Sequence, residues 1–422
     1  MAERHHVYLV PGFFGFANFG ELKYFAHVHE VLASWFADHG VDAAVHPVPT
    51  LPTASLRRRA AVLLANVAAT AEGDGPIHLI GHSSGGLDAR LMVTPGVSLD
   101  GEVQIDAEPW AARVRSVVSV AAPHRGTPSA TFFTTLYGKR MLQVLSLLTV
   151  RMLGIGRLPL SVVATLAGIA SRLDDPINRR RDALDQLNDQ LLSDFSPERR
   201  DALQHFFAQV LEDQRLLPQL TPESMDIFNA GTPDRPGVRY GSIVTAARRP
   251  GVGTAWSAGT SPTAQATHAL YVALHTLTAF GADQVPELPR DVLSRLSLAY
   301  RRTPDRRSSD GMVPTLSQPW GEVLYCARAD HLDVMGHFDD SDHDPPHFDW
   351  LHTGSGFRRA EFENLWGAAA RFLVGKPADA SAAGDGPGDE GPNEGSPLDS
   401  SDDSARGAQS DAAATAAKPT RH

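Results

Sequence analysis

A chain of 422 residues, 42% hydrophobic and 21% charged, has ordinary globular composition and is long enough to bury one large core with insertions, or two cores. Its formal net charge of -11 leaves no basic footprint for a nucleic-acid partner. With one cysteine there is no internal disulfide, in keeping with a reducing compartment.

The first residues lead into the apolar run Val7 to Val10, broken at Pro11-Gly12 with no small-residue cleavage site. They predict a strand rather than an export signal, and so a cytoplasmic product. The run continues into a glycine-rich loop, VYLVPGFFGF. A loop at the carboxyl end of an early strand in an α/β sheet can turn a backbone N–H toward a reacting carbonyl, which makes the Phe13 N–H one candidate oxyanion donor. A plain turn with aromatic core residues is the alternative. Apolar residues from Leu22 to Phe36 keep helical spacing up to His39, Asp42 to Val48 reads as a strand, and Ser55 to Glu72 as an Ala-rich amphipathic helix capped by Ser55.

The stretch around which the chain is organised follows. Ile77 to Ile80 is a short apolar run, and Gly81, Ser83 and Gly85 form G-x-S-x-G. Leu87, Leu91 and Met92 then share one helical face, so the strand, turn and helix that a nucleophile elbow requires are all present. Ser83 is the candidate nucleophile, and the N–H of Ser84, the residue after it, is the second candidate oxyanion donor. Alternating strands and helices predict a mostly parallel α/β sheet with the elbow strand central.

Val114 to Pro123 is a further strand, and His124 after it is assigned a structural or pocket-rim role in preference to that of base. From about 129 to 175 the chain is strongly apolar, but Lys139, Arg140, Arg151 and Arg157 interrupt it before a membrane-spanning length. It is expected to form a helical lid, within an insertion of about 129–230, that opens onto a lipid interface; ordinary core helices are the alternative. Ser196 and Thr221 start further helices, Gly237 to Ala247 is a strand, and His268 and His275 lie in a helical stretch as core or surface residues.

Asp310 sits in an Asp-Gly turn, where a carboxylate can accept from an imidazole Nδ1–H, with Asp305 as the weaker alternative. His331 follows the strand Glu322 to Ala327, placed to act as general base toward Ser83. Cys326 reads as a buried strand residue rather than a nucleophile. His337 to His352 is dense in aspartate and histidine, a composition that could hold Ca²⁺ or Zn²⁺, but without standard ligand spacing it is expected to be a solvated acidic loop. Ala360 to Val374 closes the 1–375 domain as an amphipathic helix, and 376–422 reads as a disordered acidic tail.

Five segments, VYLVPGFFGF, HLIGHSSGG, SVAAPHRGTPSA, SSDGMVP and DHLDVMGHF, together resemble the bacterial true lipases of the Pseudomonas and Burkholderia type, within the α/β-hydrolase superfamily. The resemblance implies an α/β-hydrolase fold, a triad of Ser83, Asp310 and His331, oxyanion donors at Phe13 and Ser84, and a lid after Pro128. It also implies a structural calcium with Asp333 as one ligand, although His337 stands where the family has glutamine and the sequence identifies no partner aspartate. Pro11-Gly12 replaces the family's His-Gly. The function expected is hydrolysis of carboxylic esters with apolar acyl chains through an acyl-enzyme on Ser83, with no cofactor needed for the chemistry. A short-chain carboxylesterase, a polyester depolymerase and a catalytically silent binding scaffold are the alternatives.

Overall fold

The computed structural model describes residues 3–13, 24–102, 104–135, 138, 162, 196, 213–280, 284, 287–344, 346, 347, 349 and 351–376. All of these lie in one compact unit, Met1–Ala383. Most of the expected lid, the helix expected after Ser196 and nearly all of the expected tail fall outside the described residues.

Strands β1 (His5–Val10), β2 (Ala43–Pro47), β3 (Ile77–His82), β4 (Val114–Val120), β5 (Arg239–Thr245) and β6 (Glu322–Ala327) form a six-stranded sheet in the order β2-β1-β3-β4-β5-β6. Every neighbouring pair is parallel. Parallel neighbours need crossovers, and the helices supplying them cover both faces, which is why β1, β3 and β4 read as nearly unbroken apolar runs.

The two faces follow from the period of the strand. Val7 and Leu9 of β1 join Ile80, Val118 and Val120 on one face, packed by helix α1 (Val28–Asp38) through Leu32 and Phe36 and by the C-terminal helix Arg359–Leu373 through Phe362, Leu365 and Trp366. Tyr8 and Val10 point the other way, toward helix α2 (Leu56–Thr70) through Ala60, Leu63 and Val67 and helix α3 (Ser84–Val93) through Leu87 and Met92. Burying each such large side chain contributes about 1.5–3 kcal/mol. The sheet order, the crossover helices and the sharp turn after β3 together make this an α/β-hydrolase fold.

Ser55 caps α2 as expected, its Oγ accepting from Arg58 N–H. Helix α1, in contrast, begins at Val28 and not at Leu22, because His27 adopts the left-handed conformation (φ 59°), which cannot continue a right-handed helix. No helix among the described residues is long and apolar enough to cross a membrane. Strands β1, β3 and β6 all run toward the same end of the sheet, and the loops leaving that end carry Phe13, Ser83, Ser84, His331 and Asp333, while Asp310 reaches His331 from the segment that joins helix Arg290–Ala299 to β6.

Candidate active site

Ser83 occupies the turn between β3 and α3 with φ 53° and ψ -129°, a strained conformation for a residue with a side chain. The turn closes only because its neighbours are glycines. A Cβ on Gly85 would lie 2.2 Å from the Val10 carbonyl oxygen, a backbone atom that cannot step aside. A Cβ on Gly12 would lie 2.5 Å from Ser83 Cβ, so the loop leaving β1 presses directly against the serine. That places the Gly12-Phe13 segment beside Ser83, and the Ser84 N–H, in the first turn of α3, has no intrahelical acceptor of its own.

Asp310 and His331 meet across the loops that flank β6. The His331 Nδ1 is 2.8 Å from Asp310 Oδ2, and the His331 backbone N–H donates to the Asp310 carbonyl at 3.0 Å. With Nδ1–H donated to the carboxylate, the imidazole presents the Nε2 lone pair. Asp310 is fully buried and its oxygens are fixed: Oδ1 accepts from the Met312 and Val313 N–H groups at 3.0 and 2.8 Å, and Oδ2 accepts from the Thr245 hydroxyl at 2.7 Å and from Gln318 Nε2 at 3.3 Å. Asp305, the weaker alternative, instead pairs with Arg249 at the surface.

His82, immediately before the serine, joins these parts. Its ring lies 4.6 Å from the His331 ring, and its Nε2–H donates to the His331 carbonyl at 2.9 Å. A carbonyl can only accept, so Nδ1 of the neutral ring accepts from the Tyr24 hydroxyl at 2.8 Å. The Tyr24 oxygen in turn accepts from the Gly12 N–H at 2.8 Å. Burial, and next the nearby His331, holds the His82 pKa well below its ordinary value, while burial raises that of the Tyr24 phenol. One chain of hydrogen bonds thereby runs from the loop after β1, past the residue preceding Ser83, to the backbone of His331. Tyr24→Phe strands the Gly12 N–H and the His82 Nδ1, and it is expected to lower stability in urea unfolding by about 1–3 kcal/mol.

A second support lies behind the same loop. Arg59 on α2 is buried, pairs with Asp88 on α3 at 2.7 Å, and donates to the Pro11 and Gly12 carbonyls at 2.8 and 3.3 Å. Sequence reasoning missed Tyr24, His82, Arg59, Thr245 and Gln318. Arg59 alone left a signal, as a charged residue on the same helical face as Leu56 and Leu63.

His124 is structural. Fully buried, it contacts Ser119 Oγ through Nε2 at 2.8 Å and Arg90 through Nδ1 at 3.2 Å, and burial followed by the Arg90 charge lowers its pKa strongly. His268 and His275 are buried on the helix Pro262–Ala279. Burial pushes the Cys326 thiol up to about 12, so it stays protonated and unreactive.

The stretch after His331 departs from the solvated loop expected. Asp339, Asp342 and Asp344 face solvent, but His337, Phe338, His347 and Leu351 are buried. Two clusters result among the described residues. Asp330, Asp333 and Asp349 bring carboxylate oxygens within 4.8 Å of one another, supplying the aspartates that sequence alone did not pair with Asp333. Burial and then Asp349 push Asp330 up to about 7, burial pushes Asp349 up to about 7, and burial and then Asp330 raise Asp333 well above its ordinary value. Three crowded oxygen donors that resist ionising without a counter-charge fit a hard divalent cation such as Ca²⁺. The other cluster is His27, His343 and His347.

No protein-family model and no curated protein matches the chain in sequence. Solved structures similar to it include the metagenomic carboxyl esterase MGS0156, at 18% identity and TM-score 0.45, with 89% of this chain and 77% of that chain covered. EstA from Clostridium botulinum is similar at 16% identity and TM-score 0.48, over 87% of each chain. Lipase 1 from Pelosinus fermentans is similar at 16% identity and TM-score 0.48, over 88% of this chain and 98% of that one.

Proposed function

We propose that this protein is a serine hydrolase of carboxylic esters, of the lipase and carboxylesterase kind, working through an acyl-enzyme on Ser83. The observation that carries the reading is the His331 Nδ1 to Asp310 contact of 2.8 Å, joined through His82 to the strained turn that holds Ser83. His331 Nε2 takes the Ser83 Oγ proton as the oxygen attacks the ester carbonyl carbon. The oxyanion that forms is met by the Ser84 and Phe13 N–H groups. His331 then passes the proton to the departing alkoxide, leaving the acyl group on Ser83, and the same steps with water in place of the serine hydroxyl release the acid. Asp310 holds the tautomer and stabilises the imidazolium. Apolar acyl chains are the substrates proposed, with a lid over residues 129–230 meeting a lipid surface, as the resemblance to true lipases implies.

Asp330, Asp333 and Asp349 would hold a structural calcium. It would supply no reacting group; it would fix the loop in which His331 lies between Asp330 and Asp333. Calcium at a hundredfold excess over its Kd is then expected to raise stability by about 2.7 kcal/mol. Calorimetry with calcium and with chelator checks this, and Asp349→Asn should abolish the difference.

A fluorophosphonate probe is expected to label the full-length protein at Ser83 and to leave Ser83→Ala unlabelled, with p-nitrophenyl esters of graded chain length cleaved in parallel. Wild-type protein that neither takes the probe nor cleaves any of these esters would overturn the reading.

A further inference from the structure

We infer that His27, His343 and His347 form a binding site for a transition-metal ion of the Zn²⁺ class, separate from the carboxylate cluster. One ring nitrogen from each histidine lies within 4.8 Å of the others, and the ring centroids are 4.3, 4.1 and 4.9 Å apart. Around a tetrahedral ion with nitrogen ligands at about 2.0–2.1 Å, neighbouring nitrogens stand about 3.4 Å apart, so side-chain movements of an ångström or so complete the site. The tautomer of His347 is already fixed. Its Nδ1 is 2.7 Å from the Gly336 carbonyl oxygen, which can only accept, so Nδ1 carries the proton and Nε2 offers its lone pair. A metal-bound imidazole usually donates its other N–H to such a carbonyl.

The donor set chooses the metal. Three neutral imidazoles suit Zn²⁺ and its first-row neighbours, whereas Ca²⁺ requires oxygen. His27 and His347 are buried and His343 is partly exposed, which provides an entry path. The two segments are also pressed together independently of the histidines, for a Cβ on Gly336 would lie 2.2 Å from the Ala26 carbonyl oxygen.

An ion here would tie the start of α1 to the loop that follows His331. Tyr24, which accepts from the Gly12 N–H, is three residues before His27 in the chain. The metal therefore acts as a clip between the chain emerging from the oxyanion loop and the chain emerging from the candidate base, with no part in bond making or breaking. This role does not depend on the esterase reading.

The test uses the full-length protein expressed without an affinity tag, stripped with chelator and titrated with Zn²⁺. Metal content by mass spectrometry is expected to be one ion per chain, with a higher Tm than in the stripped protein. His343→Ala, chosen because it is partly exposed, should weaken zinc binding on the order of a hundredfold or more. Asp349→Asn, which removes a carboxylate that the histidine cluster does not use, should leave zinc stoichiometry at one ion per chain. Co²⁺ loaded in place of zinc should show the strong visible absorption of a four-coordinate ion in the wild type and lose it in His343→Ala. Circular dichroism confirms that each variant is folded, and His343→Asn serves if His343→Ala is not. Absence of bound zinc in the wild type, or zinc binding unaltered by the substitution at 343, would overturn the assignment.

Discussion

Asp310→Asn is expected to lower kcat on a p-nitrophenyl ester by about 10⁴-fold, the loss typical when a triad carboxylate becomes an amide. The direction follows from the pinning of its two oxygens. Oδ1 accepts from two backbone N–H groups, at Met312 and Val313, so in the variant the amide oxygen must stay there. The amide NH₂ then occupies the place of Oδ2, facing His331 Nδ1 at a position now 2.8 Å away. Two donors cannot bond to each other, so Nδ1 gives up its proton to become the acceptor. The proton moves to Nε2, and the ring can no longer take one from Ser83. Ser83→Ala, removing the nucleophile, sets the scale at about 10⁶-fold. Steady-state kinetics on both variants, with labelling rates by a fluorophosphonate, would read the effect, and a loss below tenfold for Asp310→Asn would remove that residue from the machinery.

The second large effect concerns stability and geometry together. Arg59→Met leaves the Asp88 carboxylate fully buried without its partner and removes the donors to the Pro11 and Gly12 carbonyls. Breaking a buried ion pair on one side costs about 3–5 kcal/mol. Burial already pushes the Asp88 carboxyl up to about 6 against the pull of the guanidinium, so without Arg59 it would take a proton at neutral pH. The double substitution Arg59→Met with Asp88→Leu should recover most of the stability, since it leaves no orphaned charge. It should not recover turnover. The loop carrying Phe13 remains unheld from behind, and a displacement of about 1 Å in a positioning element costs roughly 100-fold. Urea unfolding and kcat measured on both variants separate the two contributions; a double variant with wild-type turnover would show that Arg59 does not position the loop.

What could be read from the sequence is what depends on neighbours along the chain. The elbow is legible because Gly81, Ser83 and Gly85 meet a steric requirement within five residues, and the strands are legible because parallel pairing buries both of their faces. Asp310 and His331 stand out through local chemistry, an Asp-Gly turn and a loop after a strand. The supports, Arg59 apart, are not legible, because the strongest of them join segments distant in sequence. Tyr24 and His82 are 58 residues apart, and His82 and His331 are 249 apart. The acidic stretch escapes a reading from composition for the same reason: so many aspartates suggest solvent on all sides, but packing against Ala26 and the C-terminal helix turns His337, Phe338 and His347 inward and leaves Asp339, Asp342 and Asp344 outside.

The lone thiol, half-buried in strand β6 and held protonated, gives the molecule a practical virtue. A cysteine placed on the exposed side of the loop after His331, and another near the start of α1, would be the two sites open to maleimide chemistry while Cys326 stays silent. Paired spin labels or fluorophores could then follow the separation of those segments as an ester or a metal ion is added, with no need to engineer the native sulfur away.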